Sequence, residues 1–259
     1  FLYHFVDGIS STSALTNQSI MKNIPIDKHK ITLIPYGRSV HQFVSQEALR
    51  NTIRNQYQAQ DKMVVAMLSR IDQEKGNLEF AQSYLKLPTP IQEQVQYWII
   101  GEPTMAFLDS DGKPVYEAQS KATENAITGI VTSNHLENKI IRIPFQKEYI
   151  AYLDAIDIFV LPSLSEGFGI AVVEAMQQGL PCLCSNVGGI PEFVEENKTG
   201  WLFNPNNEEE FFEKLALIYQ MPNEKLTQVG ANAKSYVANG FSESDYVKKL
   251  ENLYLESYD

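Results

Sequence analysis

Cysteine is scarce in this chain of 259 residues: there are two, Cys182 and Cys184, both in one apolar stretch. No other Cys or His stands at metal-ligand spacing from them. They read as small core residues of a protein from a reducing, cytosolic compartment rather than as a disulfide or redox pair. Histidine is sparse too, and the spacing of His4, His29, His41 and His135 suggests no zinc site. No apolar run approaches the roughly 20 residues of a membrane span, and no charged-then-apolar leader opens the chain. Positive charge is in deficit, with 21 Lys and Arg against 32 Asp and Glu and a net charge of −11. That balance argues against nucleic acid as the partner and against a polybasic membrane patch, since both need clustered cations. Also missing are a Gly-Lys-Ser/Thr phosphate loop, a Gly-x-Gly-x-x-Gly after a strand and a serine on a nucleophile elbow. Nucleotide hydrolysis on a phosphate loop, ordinary nicotinamide chemistry and Ser/His/Asp hydrolysis therefore lack their signatures.

What is present alternates. Short, nearly continuous apolar runs at 63–69, 95–100, 139–143, 158–161, 181–185 and 201–203 predict strands buried on both faces. Between and after them, amphipathic patterns predict helices at 78–85, 116–132, 149–155, 169–178, 208–219 and 225–237, with a closing helix at 243–258. Such alternation is the mark of an α/β domain with a mostly parallel sheet and helices on both faces. The first 45 residues differ: strands at 8–13 and 30–35 flank a helix at 14–23, one βαβ unit too small to build its own core. It reads as the tail of an upstream domain, joined through Pro35-Tyr36-Gly37 to the larger α/β domain. The chain opens on Phe1 instead of Met, in keeping with sequence upstream of it. The expected division is 1–45, tail and hinge; 46–240, the main domain; and 241–259, a crossover helix.

Chemistry concentrates at the strand ends. Residues 163–179 place Glu166 in a loop with Gly167 and Gly169, followed by a helix that carries Glu174. Two acids beside a helix N-terminus, where free N–H groups favour an anion, suit a ligand with both hydroxyls and phosphates, as in a nucleotide-sugar. After the strand at 63–69 come Arg70, a planar fork of donors, and Lys75, a compact charge; together they suit a diphosphate. Two solvated loop cations are the competing reading. The paired glycines in Asn186-Val187-Gly188-Gly189-Ile190-Pro191-Glu192 permit a tight turn or a close approach to a ligand. Asp109-Ser110-Asp111 has the look of a metal-holding acid pair, but beside Gly112 and Pro114 a solvated turn is the favoured reading.

Taken in order, these elements resemble the retaining glycosyltransferases of the GT-B fold, glycosyltransferase group 1 or family four, from about Gly8 to the end. Ile34-Pro35-Tyr36-Gly37 resembles the hinge into the C-terminal domain, with Tyr36 where Asn is common. Arg70 with Lys75-Gly76, then Glu166-Gly167-Phe168-Gly169 with Glu174 and Gly179-Leu180-Pro181, then the loop 186–192 with Lys198-Thr199-Gly200, match the family's order. The resemblance implies a Rossmann-like donor-binding domain and a partial βαβ remnant of the N-terminal domain. It also implies catalytic roles: Arg70 and Lys75 hold the donor diphosphate as it leaves, while Glu166 accepts bonds from sugar hydroxyls beside the N–H groups of Phe168, Gly169 and Ile170. Glu174 would bind the ribose, and the base would lie against Pro144-Phe145-Gln146, where many members have Gly in place of Phe145. No cofactor or metal is implied, only a donor such as UDP-glucose or a close relative. A glycan or lipid-linked acceptor would bind an N-terminal domain not found here, whose catalytic His is not His4. The cytoplasm is the implied location, membrane-peripheral for a full-length protein, and no oligomeric state is implied. Rival readings are a non-catalytic sugar-nucleotide-binding module, or an epimerase or phosphorylase of the same fold.

Overall fold

The computed structural model of the chain describes residues 5–37 and 47–256. His4, His41, the boundary at 45–46 and the end of the closing helix toward Tyr258 lie outside the described residues. Strand β1 (Ile9–Ser11), helix α1 (Ala14–Asn23) and strand β2 (Ile31–Leu33) come first, and β1 pairs with β2 in parallel as a separate two-stranded sheet. Helix α2 (Glu47–Gln56) leads into the main sheet. Next are β3 (Met63–Leu68), α3 (Asn77–Lys86), the short α4 (Thr89–Gln92), β4 (Val95–Ile100), the hairpin strands β5 (Met105–Leu108) and β6 (Pro114–Tyr116), and α5 (Ala118–Ser133). Then come β7 (Ile140–Ile143), α6 (Tyr149–Asp154), β8 (Ile158–Leu161), α7 (Ile170–Gln177), β9 (Cys182–Ser185) and β10 (Trp201–Phe203). Helices α8 (Glu208–Tyr219), α9 (Asn223–Gly240) and α10 (Glu243–Glu256) close the chain.

Six strands form one parallel sheet in the order β10-β9-β8-β3-β4-β7. The six strands expected for this sheet are found within a residue at their ends, while β1 and β2 are shorter than the expected 8–13 and 30–35. Both faces are covered, which is why the strands read as continuous apolar runs. One core packs Trp98, Phe159, Val172 and Met176 beneath α2, α6, α7 and α9. The other packs Tyr97, Phe80, Tyr84 and Leu215 beneath α3, α5 and α8. Gln96, a polar residue in fully buried β4, is accommodated because its amide donates to Tyr57 and Asn138 carbonyls and accepts from Trp98 Nε1 at 2.6 Å. Cys182 and Cys184 are free and fully buried in β9, and burial pushes the Cys184 thiol well above its ordinary pKa. They are core residues, as read from the sequence.

Helices α2 and α4 and the hairpin β5–β6 are not among the expected elements. Helix α2 shows little apolar signal beyond Leu49 and Ile53, which pack on the first core, and Arg54 on the same face is 6% exposed. The hairpin β5–β6 takes Tyr116, expected as the first residue of a helix, as the end of a strand. The helix begins instead at Ala118, because Glu117 N–H bonds the Thr104 carbonyl across the hairpin base at 2.8 Å. Asp109 makes the hairpin turn: its Oδ1 accepts from Asp111 and Lys113 N–H at 2.9 and 2.8 Å. Among the described residues, no three His, Cys, Asp or Glu side chains are grouped to hold a metal, and no helix is long and apolar enough to cross a membrane.

The strand order sets the position of the site. From β3 the chain builds outward to β4 and β7 on one side, then returns to β8, β9 and β10 on the other. Crevices outside the carboxyl ends of strands open where such an order reverses, here between β3 and β8.

Candidate active site

The loop leaving β3 carries both cations that the sequence singled out. Asp72 caps a short 3₁₀ turn, Gln73–Lys75, by accepting from Glu74 N–H at 3.1 Å, while its own N–H donates to Asn77 Oδ1 at 3.0 Å. The turn ends at Gly76 with φ +71°, where a Cβ would stand 2.1 Å from the Pro162 carbonyl oxygen. Only glycine lets the β3 loop come that close to the loop leaving β8, and Leu164 N–H then bonds the Glu74 carbonyl at 2.8 Å. Lys75 is thereby delivered to Glu166: Nζ to Oε1 is 2.7 Å, with side chains 19% and 11% exposed. Ser163 Oγ donates to the same oxygen at 2.8 Å. The carboxylate is thus oriented in part by a serine whose role no spacing in the sequence marks.

The paired glycines of the next loop pack closely on the backbone of the Glu166 loop. Gly188, at φ +55°, would place a Cβ 1.8 Å from the Glu166 carbonyl oxygen, and Gly189 N–H donates to the Gly167 carbonyl at 3.1 Å. This loop therefore supports the Glu166 backbone from behind. Its last residue, Glu192, accepts from Ala14 N–H at 2.7 Å, at the start of α1.

Glu174 is the fifth residue of α7, a full turn past the helix start and 6% exposed. Tyr149 at the head of α6 donates its hydroxyl to Glu174 Oε1 at 2.7 Å. The periodicity puts Tyr149 in a helix but gives no sign of its link to Glu174. Around these groups two cavities adjoin, sharing Leu68, Ser69 and Arg70. The smaller, about 250 Å³, is lined by Arg70, Lys75, Glu166, Gly169 and Ile170, with Tyr36 of the hinge segment at its wall. The larger, about 560 Å³, is lined by Arg70, Glu174, Tyr149, Phe145 and the hairpin residues Met105 and Tyr116.

The structure thus brings Arg70, Lys75, Glu166 and Glu174 to one connected crevice at the β3/β8 reversal. Phe168 lines the smaller cavity, although its ring turns inward against Phe193 and Phe241. Gly167 and Pro144, both expected at the donor, line neither cavity; Gly167 presents its carbonyl to the supporting loop and Pro144 accepts from Gln146 Nε2 at 3.1 Å. The first N–H groups of α7 point out of the helix end unpaired within it, as every helix start requires, and they open at the cavity that Arg70 and Lys75 line. Thr104 completes the cation loop by donating to Asp72 Oδ2 at 2.9 Å while receiving Arg70 Nη1 at 3.4 Å. Burial alone would raise the Asp72 pKa. The Glu74 N–H, the Thr104 hydroxyl and the Arg70 charge outweigh it and hold the carboxyl below its ordinary value.

Comparison with known proteins shows the family and the fold. The family model for glycosyl transferases group 1 matches residues 50–236. The chain is 27% identical over 245 residues to the UDP-Gal:alpha-D-GlcNAc-diphosphoundecaprenol alpha-1,3-galactosyltransferase of Escherichia coli, covering 91% of this chain and 57% of that protein. It is 25% identical over 255 residues to the capsular polysaccharide biosynthesis glycosyltransferase CapM of Staphylococcus aureus, covering 96% of this chain and 61% of that one. Less than two thirds of either relative's length is therefore spanned. In fold it resembles the crystal structure of Anabaena Alr3699/HepE in complex with UDP and glucose, with a TM-score of 0.84 at 18% identity over 97% of this chain and 63% of that one. The chain belongs to the glycosyl transferases group 1 family.

Proposed function

We propose that this chain is the donor-binding half of a retaining glycosyltransferase that moves a sugar from a nucleoside diphosphate, UDP-glucose or a close relative, to a hydroxyl of a glycan or lipid-linked acceptor. The observation that carries the reading is the connected crevice in which Lys75 meets Glu166 and Arg70 lies between that pair and Glu174. In the reaction the bond between the anomeric carbon and the diphosphate oxygen breaks, and its electron pair leaves with the diphosphate. Negative charge grows on that oxygen as positive charge grows at the sugar. Arg70, Lys75 and the N-terminus of α7 face the leaving group, so they act most strongly on charge that develops in the transition state. Glu166, oriented by Lys75 and Ser163, receives sugar hydroxyls. Glu174, steadied by Tyr149, receives the ribose hydroxyls. This chemistry draws on no metal or cofactor.

An acceptor domain outside this chain supplies the second substrate, and the βαβ unit of 8–35 is the tail of that domain. Support comes from the share of its relatives that the chain spans, 57% of the galactosyltransferase, and from the separation of β1 and β2 from the main sheet. Titration calorimetry with UDP and UDP-glucose tests the reading. Binding is expected for this chain and is expected to vanish in Arg70→Ala and to weaken strongly in Glu174→Ala. Undiminished binding in both variants would reject the site. Sugar transfer by the full-length protein separates the enzyme from a non-catalytic binding module, and brisk transfer by this chain alone would reject the divided-substrate reading.

A further inference from the structure

We propose that Glu192 is a positioning residue for the donor sugar: its carboxylate ties helix α1 to the loops that carry and back Glu166, an inference that rests on the donor site described above. The two parts it joins share no strand pairing, since β1 and β2 form a sheet of their own. Ala14 N–H is the first in α1 and has no partner within the helix, as at any helix start. It donates to Glu192 Oε1 at 2.7 Å, on a residue 178 positions further along the chain. Helix α1 has a cap of its own in Ser13, whose Oγ accepts from Thr16 N–H at 3.0 Å, but it carries no acid in its first turn. The carboxylate at its positive end comes instead from the main domain.

Glu192 has a firm base. It ends the 3₁₀ turn Ile190–Glu192, its N–H donates to the Gly189 carbonyl at 3.0 Å, and its carbonyl accepts the Tyr236 hydroxyl of α9 at 3.0 Å. Ile190 and Phe193, to either side of Pro191-Glu192, are fully buried. The start of α1 lies close on this loop: a Cβ on Gly189 would stand 2.9 Å from Ser13 Cβ, and Ser13 is itself fully buried. Thr16 Oγ1 reaches the Gly167 carbonyl at 3.5 Å, the oxygen that Gly189 N–H also holds at 3.1 Å. Gly188 meets the Glu166 carbonyl from the same loop. The start of α1, the glycine pair and the backbone of Glu166-Gly167 thus form one packed stack, and Glu192 is the charged bond across it. Beyond the stack a cavity of about 520 Å³ opens between α1 and Glu166, lined by Thr16, Ser19 and Lys22 on one side and by Glu166 and Gly188 on the other. Glu166 walls this cavity and the smaller donor cavity alike, so the placing of α1 bears on the carboxylate that receives the sugar.

The test measures UDP and UDP-glucose binding to the full-length protein by calorimetry, because the ratio of the two affinities isolates the sugar. In Glu192→Ala, UDP is expected to bind as in the wild type, its phosphates still facing Arg70 and Lys75. UDP-glucose is expected to weaken about two- to fivefold, the factor that a charge at an exposed helix end is worth. Glu192→Gln, whose side-chain oxygen can still accept from Ala14 N–H, is expected to recover part of that loss. Ala14→Glu/Glu192→Ala returns an acid to the helix end without the tie, and UDP-glucose is expected to stay weak in it. Full recovery in that double variant overturns the proposal, since Glu192 would then act only on the stability of α1. Equal weakening of UDP and UDP-glucose in Glu192→Ala overturns it too, as a loss of fold instead of sugar placing, and so does wild-type affinity for both. A wild-type protein that binds neither ligand overturns the donor site itself, and the tie with it.

Discussion

The two edges of the main sheet carry cavities of nearly the same size, about 550 Å³ at the amino edge and about 560 Å³ at the carboxyl edge, and each has an arginine in its wall. The use made of those arginines differs. At the amino edge Arg54 donates to the Ala59, Ala155 and Lys62 carbonyls and pairs with Asp157 at 3.0 Å. Asp157 in turn takes Arg50 at 2.8 Å and the Val64 N–H at 2.8 Å. Every strong partner in that cluster is engaged by the fold. At the carboxyl edge, the side-chain hydrogen bond of Arg70 among the described residues is a long one, 3.4 Å to Thr104. A cavity's volume does not mark a site; a cation with bonding capacity left over, beside acids held in place, is the better sign.

The contrast between the two edges shows most clearly when each arginine is exchanged for alanine. Arg70→Ala is expected to lower transfer by the full-length enzyme by about 10²–10³-fold, the scale of losing one donor to a developing oxyanion, with stability changed by no more than about 0.5 kcal/mol. Arg54→Ala is expected to cost about 1–3 kcal/mol of stability, because it takes the donor from the Ala59, Ala155 and Lys62 carbonyls while Asp157 keeps Arg50 and the Val64 N–H, and activity per folded molecule stays the same. Denaturant melts and turnover measured on one set of preparations check both halves. Next in size is Glu174→Gln, expected to weaken UDP about tenfold through loss of charged hydrogen bonds to the ribose, as read by calorimetry. Gly188→Ala is expected to cost about 1–3 kcal/mol through strain at its positive φ and to displace Glu166, so turnover should fall even where the protein remains folded.

Smallest is the pH effect at Asp72. Its carboxyl lies below the ordinary value in the folded chain, so its ionised form adds stability above the unfolded value of about 3.9. That addition is lost as pH falls through the depressed folded value. The stability gap between wild type and Asp72→Asn should be widest near neutral pH and shrink below about pH 4, as tracked by melting temperature against pH.

The alternating apolar runs made the main sheet legible from sequence, since β3, β4 and β8 are buried on both faces and consist of little else. Helix α2 was hidden because its partners are polar: Arg50 and Arg54 hold it to the sheet edge through carbonyls that no periodicity marks. The hairpin was hidden because Phe107 and Leu108 are largely exposed, and an apolar residue in a run predicts burial. At the site, Arg70, Lys75, Glu166 and Glu174 were legible from their motifs. Tyr149 and Thr104 were not, because each acts across the fold on a partner supplied by another segment; Ser163, three residues from Glu166 in the same loop, belongs to no motif that marks its contact. The paired glycines signal a tight turn or a close approach in the sequence, and the structure shows Gly188 in close approach to the Glu166 backbone.

What distinguishes the two edges is that Arg70 at the carboxyl edge makes one long side-chain hydrogen bond, while Arg54 at the amino edge is fully engaged by the fold. Calorimetric titration of UDP into the wild type, Arg70→Ala and Arg54→Lys measures this without intermediaries, the lysine keeping a charge at the amino edge. Wild-type affinity is expected in Arg54→Lys and no measurable binding in Arg70→Ala. UDP binding that survives in Arg70→Ala and disappears in folded Arg54→Lys would reverse the assignment of the two edges.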